Sequence, residues 1–177
     1  MLKITEIKKE NMPVLKWSGG TTTEIFIRPE GAVYAERDFV FRISTALVDA
    51  ESSDFTSLPD HNRLIASIEG EMRLTHGGGE ETRIIPLDTV YRFDGGAPTH
   101  CEGRARDLNL MLKKGSAEGE MRFIRDGETA VVPLKKGEIA LVYSVKDGGA
   151  KLAVCDEDDF LVFVSSGVSA LFTVREK

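Results

Sequence analysis

Nowhere along this chain do apolar residues recur at i, i+3, i+4 and i+7 through three turns between recognisable caps, so it has no amphipathic helices to pack. Short strand-like runs take their place: FVFRISTALV (39–48), RLIASIEG (63–70), EMRLTH (71–76), TRIIPL (82–87), TVYRFDG (89–95), ARDLNLMLK (105–113), TAVVPL (129–134), EIALVYSV (138–145), KLAVC (151–155), DFLVFVSSG (159–167) and ALFTVRE (170–176). The turns between them are rich in glycine, as in HGGGE, DGGAP, KDGGA and RDGE. Many short strands at this spacing predict an all-β barrel or sandwich with few helices. At 177 residues, 41% of them apolar, the chain can bury the core such a fold needs.

An internal echo divides the chain. LIASIEG followed by LDTVYRFDGG (64–70, 87–96) resembles LVYSVKDG followed by EDDFLVFVSSG (141–148, 157–167), with apolar, turn and acidic positions in the same order. The short polar match EGEMR at 69–73 and 118–122 falls in another register and carries less weight. The echo predicts two β-rolls in tandem, residues 1–115 and a shorter 116–177, sharing one core.

A net charge of −6 without a basic run gives no electrostatic footprint for nucleic acid or an anionic membrane. The N-terminal MLKITEIKKENMP carries charges where a secretory signal needs its apolar centre, and no run approaches the ~18 apolar residues of a membrane span. The expected location is the cytoplasm, and the expected partner is a small molecule, with a homodimer left open. Cys101 and Cys155 lack any paired spacing and read as reduced structural thiols. The three histidines, His61, His76 and His100, form no metal-ligand motif, and His76, next to GGGE, reads as an exposed turn residue. No metal, cofactor or nucleophile signature is present.

The densest polar segment is KWSGGTTTE (16–24), where a Gly19-Gly20 turn opens into a strand. Phosphate-cradling glycine loops open into a helix, so this is not one. Alternation places Thr22, Glu24 and Phe26 on one face. It likewise places Phe39, Phe41, Ile43 and Thr45 opposite Arg42 and Ser44, and Leu108, Leu110 and Leu112 opposite Asp107, Asn109 and Met111. Each strand has a greasy side and a mixed polar side. Either the polar side faces water, or it lines the mouth of a roll that holds one small ligand. Arg63 has two readings as well, a carboxylate fork or a surface partner of Asp60.

With KWSGGTTTE, FRISTALVDAESSDFTSLPDHNRLIASIEGEMRLTH and RDLNLMLKKG in this order, the chain resembles the HutD/Ves family of cupin-like proteins over roughly residues 12–115. Lys16, Gly19, Gly20, Thr22 and Glu24 match the family's Lys-Asn-Gly-Gly-Gly-x-Thr-x-Glu segment, with Trp17 and Ser18 departing from it. Arg42, Ile43 and Ser44 match its Arg-Ile-Ser strand, and Phe55, Leu58, Pro59 and Arg63 match its Phe-x-x-Leu-Pro-x-x-x-Arg turn. Arg106, Asp107, Asn109, Leu110 and Met111 match its late Arg-Asp-x-Asn-Leu-Met strand. The resemblance implies a two-cupin (bicupin) jelly roll of the RmlC type without the cupin metal motif. It also implies a part in histidine utilisation, through binding an anionic intermediate such as N-formylglutamate or urocanate and restraining flux.

These lines converge on a ligand site. Lys16, Arg42 and Arg63 would supply cationic donors to a carboxylate, Glu24 and Asp107 would orient them, and Thr22, Ser44 and Asn109 would add neutral hydrogen bonds, with Met111 alongside. The expected activity is metal-independent binding of a small anion, with no catalytic residue. The alternative is a metal-free isomerase or epimerase of cupin type with Glu24 or Lys16 as base.

Overall fold

Each of the eleven runs contains a strand in the computed structural model, which describes all residues from Met1 to Lys177. In chain order the strands are β1 (Leu2–Ile7), β2 (Val14–Trp17), β3 (Gly20–Arg28), β4 (Phe41–Val48), β5 (Ser52–Asp54), β6 (His61–Glu69), β7 (Met72–His76), β8 (Glu81–Ile84), β9 (Val90–Asp94), β10 (Thr99–Glu102) and β11 (Ala105–Lys113). They continue with β12 (Ala117–Ile124), β13 (Thr129–Leu134), β14 (Glu138–Ser144), β15 (Ala150–Cys155), β16 (Asp159–Val164) and β17 (Ser169–Glu176). The only helical pieces are two short 3-10 turns, Lys9–Asn11 and Tyr34–Glu36. No helix is long and apolar enough to cross a membrane.

Residues 13–116 form one unit, with a six-stranded sheet in the order β2-β3-β4-β11-β6-β9 and a four-stranded sheet β5-β10-β7-β8. Its core includes Ile65, Met72, Leu74, Ile84, Phe93 and Cys101. Burial pushes the Cys101 thiol up to about 12, so it stays an inert packing group. A second cluster joins Phe39, Leu58 and Met111. Phe39 precedes β4 and packs with Met111, so it does not continue the alternation of Phe41 and Ile43.

Residues 1–12 and 117–177 form the other unit, with sheet β1-β15-β14-β17-β12 and the two-stranded ribbon β13-β16. Its core joins Ile124, Val132, Leu134, Val142, Leu161 and Leu171. The N-terminal strand, expected in the roll of residues 1–115, pairs instead with β15 along its whole length, from Leu2 opposite Cys155 to Ile7 opposite Ala150. Its LKITEI pattern leaves most positions exposed, so periodicity gave no hint of a partner.

Strand order repeats between the units. The run β4-β11-β6-β9 corresponds to β12-β17-β14-β15, and β5-β10 corresponds to β13-β16. The echo read from sequence falls on these strands as follows. LIASIEG lies in β6 and LVYSVKDG in its counterpart β14, but EDDFLVFVSSG lies in β16, whose counterpart is β10 and not β9.

Two local features shape the first unit. In β3 the register with β4 slips between Glu24 and Phe26, leaving Ile25 as the extra residue of a bulge. Glu24 therefore faces with Ser44, whereas Phe26 turns to Ile43 and meets Phe41 at 5.8 Å between ring centroids, overturning the expected shared face of Thr22, Glu24 and Phe26. At the Gly19-Gly20 turn, a Cβ on Gly19 would lie 2.0 Å from the Trp17 ring. Gly20 has φ +153, and a Cβ there would lie 1.9 Å from the Leu47 carbonyl oxygen.

Backbone, not a movable side chain, blocks the second position. Gly20→Ala is therefore expected to cost about 2–4 kcal/mol, through strain and a forced strand shift. Urea unfolding checks this, and a loss below about 0.5 kcal/mol, the size of an ordinary surface change, would show that the turn adapts freely.

Candidate functional site

Pairing across four strands builds one polar face as a series of rungs. Thr22 lies opposite Ala46, and Ala46 opposite Asp107; Glu24 lies opposite Ser44, and Ser44 opposite Asn109. Arg42 lies opposite Met111, and Met111 opposite Arg63. Cross-strand partners point to the same side of a sheet, so eight of the nine expected residues share this face. Both faces of β4 and β11 are nonetheless buried, which excludes the half-solvated reading of their alternation. Arg42 is 2% exposed, Arg63 5% and Asp107 2%.

The face bounds a cavity of about 310 Å³ lined by Thr22, Arg42, Ser44, Arg63, Asp107 and Asn109, with Trp17, Tyr34 and Phe55 among its walls. Glu24 is not in the lining. It accepts a 2.8 Å hydrogen bond from Arg42 Nε and holds that side chain in place. The Arg42 guanidinium also lies 4.1 Å from the centroid of the Tyr34 ring, with Arg37 at 4.2 Å from the same ring.

A second chain of contacts holds Arg63. Its Nη2 donates to Asn109 Oδ1 at 2.8 Å, and Asn109 Nδ2 donates in turn to Asp107 Oδ1 at 3.0 Å. The Arg63 guanidinium sits 5.0 Å from the Phe55 ring centroid and 5.3 Å from that of Phe93. Burial lowers the Arg63 pKa and the nearby Arg42 lowers it further, against the pull of Tyr34 and Asp107. Burial pushes Asp107 up to about 6, opposed by its hydrogen bond from Asn109, by Arg63 and by the Ala46 amide.

Donors remain unspent. Arg42 Nη2, Arg63 Nε and Trp17 Nε1 are buried without a hydrogen-bond partner. A buried unsatisfied donor costs about 1–3 kcal/mol, more when charged. Three such donors on residues lining one cavity suit an occupant that brings acceptors and negative charge.

Several expectations change. Lys16 lies opposite Thr21 in β3, on the other face from Leu15 and Trp17; it is exposed, and it borders the cavity without a place on the shared polar face. Arg63 does not pair with Asp60 at the surface, because its guanidinium is buried against Asn109. His76 is no exposed turn residue: it is half-buried, stacked 5.7 Å from Tyr91, with Nδ1 2.9 Å from Thr99 Oγ1. His61 is a core residue stacked 4.2 Å from Phe39, its Nε2 donating to the Phe39 carbonyl at 2.9 Å. No group of three or more His, Cys, Asp or Glu side chains converges as a metal site. Tyr34 and Arg37 went unread in the sequence because they stand in and after a lone 3-10 turn with no periodicity to place them. Phe55 carried a signal in the Phe-x-x-Leu-Pro turn.

Comparison with known proteins agrees with this architecture. The HutD family model matches residues 8–170. HutD from Pseudomonas fluorescens SBW25, solved in a formate condition, is 22% identical, with a TM-score of 0.81 over 99% of this chain and all of that one. A conserved protein of unknown function from Pseudomonas aeruginosa PAO1 is 20% identical, with a TM-score of 0.78 over 99% of both chains. A bacterial pirin from Escherichia coli, in complex with nickel(II), is 11% identical, with a TM-score of 0.66 over 98% of this chain and 99% of that one. The fold is thus all-β and cupin-like. No curated protein matches the sequence.

The buried carboxyl gives a stability test. Burial holds the folded Asp107 pKa near 6 against the ordinary 3.8 of an aspartate, so the folded state holds the proton more tightly than the unfolded state. Its contribution is fully present below about pH 4 and is lost as pH rises through 6, a change on the order of 3 kcal/mol. Asp107→Asn keeps the acceptor for Asn109 and removes the titration. The stability of wild type relative to Asp107→Asn should therefore fall between pH 4.5 and 7.5 in urea unfolding, and parallel curves would mean that Asp107 is not desolvated as the geometry implies.

Proposed function

The chain belongs to the HutD family, and from that premise we propose that it binds a small metabolite carboxylate in the Arg42–Arg63 cavity. The observation that carries this reading is the set of buried donors left without partners on Arg42, Arg63 and Trp17. An anion recovers about 1–3 kcal/mol for each donor it satisfies. The cavity lies at the small end of the ~300–1,000 Å³ range of small-molecule sites, which fits a compact metabolite. Histidine utilisation supplies two candidates, N-formylglutamate and urocanate, and holding one of them would let the protein restrain flux. Two guanidinium groups suit the two carboxylates of the first, and the aromatic walls suit the flat body of the second. In this reading the two units are tandem cupin-like rolls, supported by their repeated strand order.

One observation favours a second, catalytic reading. Asp107 lines the cavity with its pKa raised to about 6, in the range of a general acid or base. Glu24, held by Arg42, and Lys16, at the rim, are poorly placed for that work. Asp107→Asn separates the readings, because a catalyst would lose turnover while retaining ligand, and a pure binder shows no turnover to lose.

Titration calorimetry with N-formylglutamate, urocanate, glutamate and formate tests the proposal. Arg63→Ala should weaken the best of these ten- to hundredfold, the equivalent of about 1.5–3 kcal/mol for a charge-assisted pair. Trp17 fluorescence should report the same titration. Equal affinities in a folded Arg63→Ala protein, or no heat from any carboxylate, would overturn it.

Protonating Asp107 removes a negative charge from beside Arg63. Affinity for a carboxylate that stays ionised should therefore rise as pH falls from 7.5 to 5.5, and that slope should vanish in Asp107→Asn.

A further inference from the structure

Arg37 is a cation of the cavity that lies outside every motif. It follows the 3-10 turn Tyr34–Glu36 in the segment joining β3 to β4, and it lines the cavity beside Tyr34 and Ala35. The two inner arginines have acidic support, Arg42 from Glu24 and Arg63 from Asp107 through Asn109. Arg37 has none. Its Nη1 donates to the Tyr34 carbonyl at 3.4 Å, and the neighbouring Asp38 is taken by Lys113 at 3.0 Å. A guanidinium has five donors, so most of those on Arg37 stay open at the exposed mouth of the cavity.

Its backbone also departs from the ordinary. Arg37 has φ 60 and ψ 14, the left-handed conformation in which glycine or asparagine commonly ends a helical turn. An arginine costs stability there, and a residue kept in such a conformation points to a task for its side chain. The turn lays the Arg37 guanidinium 4.2 Å from the Tyr34 ring centroid, while Arg42 lies 4.1 Å from the same point. The two guanidinium carbons are therefore at most about 8 Å apart. The base of the segment is anchored, because Phe39 is buried and stacked on His61. Its tip is not: the backbone hydrogen bonds of residues 30–37 run only within the segment, from Ala32 to Pro29, Glu36 to Val33 and Arg37 to Tyr34.

We propose that Arg37 is a ligand-binding residue and that the cavity takes a short dicarboxylate, with one acid group on Arg42 and Arg63 together and the other on Arg37. This rests on the carboxylate reading of the cavity and narrows it. The buried open donors of the inner pair are Arg42 Nη2 and Arg63 Nε, and the two oxygens of one carboxylate suffice for them. A monocarboxylate would leave Arg37 without a counter-charge. A second acid group lying alongside the first, within the span between Arg42 and Arg37, supplies that charge and meets the guanidinium fork with two acceptors.

Titration calorimetry with succinate and glutarate, each against its monoamide, tests this, because acid and amide differ in one charge and hardly in size. Wild type should bind the better diacid at least tenfold more tightly than its monoamide, the effect of about one charge-assisted pair. Arg37→Gln should erase that preference by lowering diacid affinity to the level of the monoamide. Arg37→Lys, which keeps the charge without the fork, should restore part of it. Arg63→Ala should weaken acid and amide alike. An Arg37→Gln chain that loses affinity for both equally would make Arg37 part of the cavity wall, and a wild type without preference for the diacid would leave it outside the site. Either result overturns this inference while Arg63-dependent binding upholds the carboxylate reading. Absence of binding by all four compounds in wild type overturns the two together.

Discussion

Two guanidinium groups on one buried rung, Arg42 and Arg63 on either side of Met111, set the terms for the first unit. Removing a cation from water costs several kcal/mol even after relaxation, so the fold must offset that cost elsewhere. Part of the offset is local: Glu24 receives Arg42, Asn109 receives Arg63, and the rings of Tyr34, Phe55 and Phe93 lie against the two guanidinium groups. The rest comes from the same strands. Phe41, Ile43, Leu64, Leu108, Leu110 and Leu112 are buried on the other face, and at about 1.5–3 kcal/mol each they contribute on the order of 10 kcal/mol. The apolar face thus sustains the polar one.

Much of this was legible in the residues, for a definite reason. Strand alternation has a period of two, so Arg42 with Ser44 and Asp107 with Asn109 could be grouped before any partner strand was known. What alternation lacks is register. It could not say that both faces would be buried, because that depends on what packs against each sheet. Nor could it foresee the bulge at Ile25, which turns Phe26 toward Phe41 and keeps Glu24 facing Arg42. Had the strand paired regularly through Ile25, without the bulge, a phenyl ring would sit on the polar face. Lys16 is a different case: alternation in β2 assigns its side chain to the side opposite Trp17, yet it still borders the cavity.

Most of the missing pieces are short or irregular, whereas the eight-residue β12, AEGEMRFI, was hidden by its charges and its glycine. Strands β5 and β10 have only three and four residues, too few to display a period, and Tyr34 stands in a lone 3-10 turn. Such segments are set by tertiary partners and not by propensity, so one sequence does not reveal them. The N-terminal strand shows the same limit at longer range. Its partner β15 lies near the other end of the chain, and nothing in LKITEI specifies that distance.

Repetition of the strand order makes the difference between the two interiors informative. In the first unit the rungs of β4, β11 and β6 carry Arg42, Ser44, Asp107, Asn109 and Arg63 around open space. In the second, Ile124, Val142 and Leu171 on the corresponding strands β12, β14 and β17 close with Val132 and Leu161 into a solid apolar cluster. One arrangement of strands can therefore act as a container or as a core, according to which side chains its rungs present. The buried polar side-chain atoms without partners, on Trp17, Arg42, Ser53, Arg63 and His76, all belong to the first unit. The second unit also lacks the hairpin β7-β8, and the ribbon left bare by its absence is where Val131, Phe160, Val162 and Val164 reach solvent.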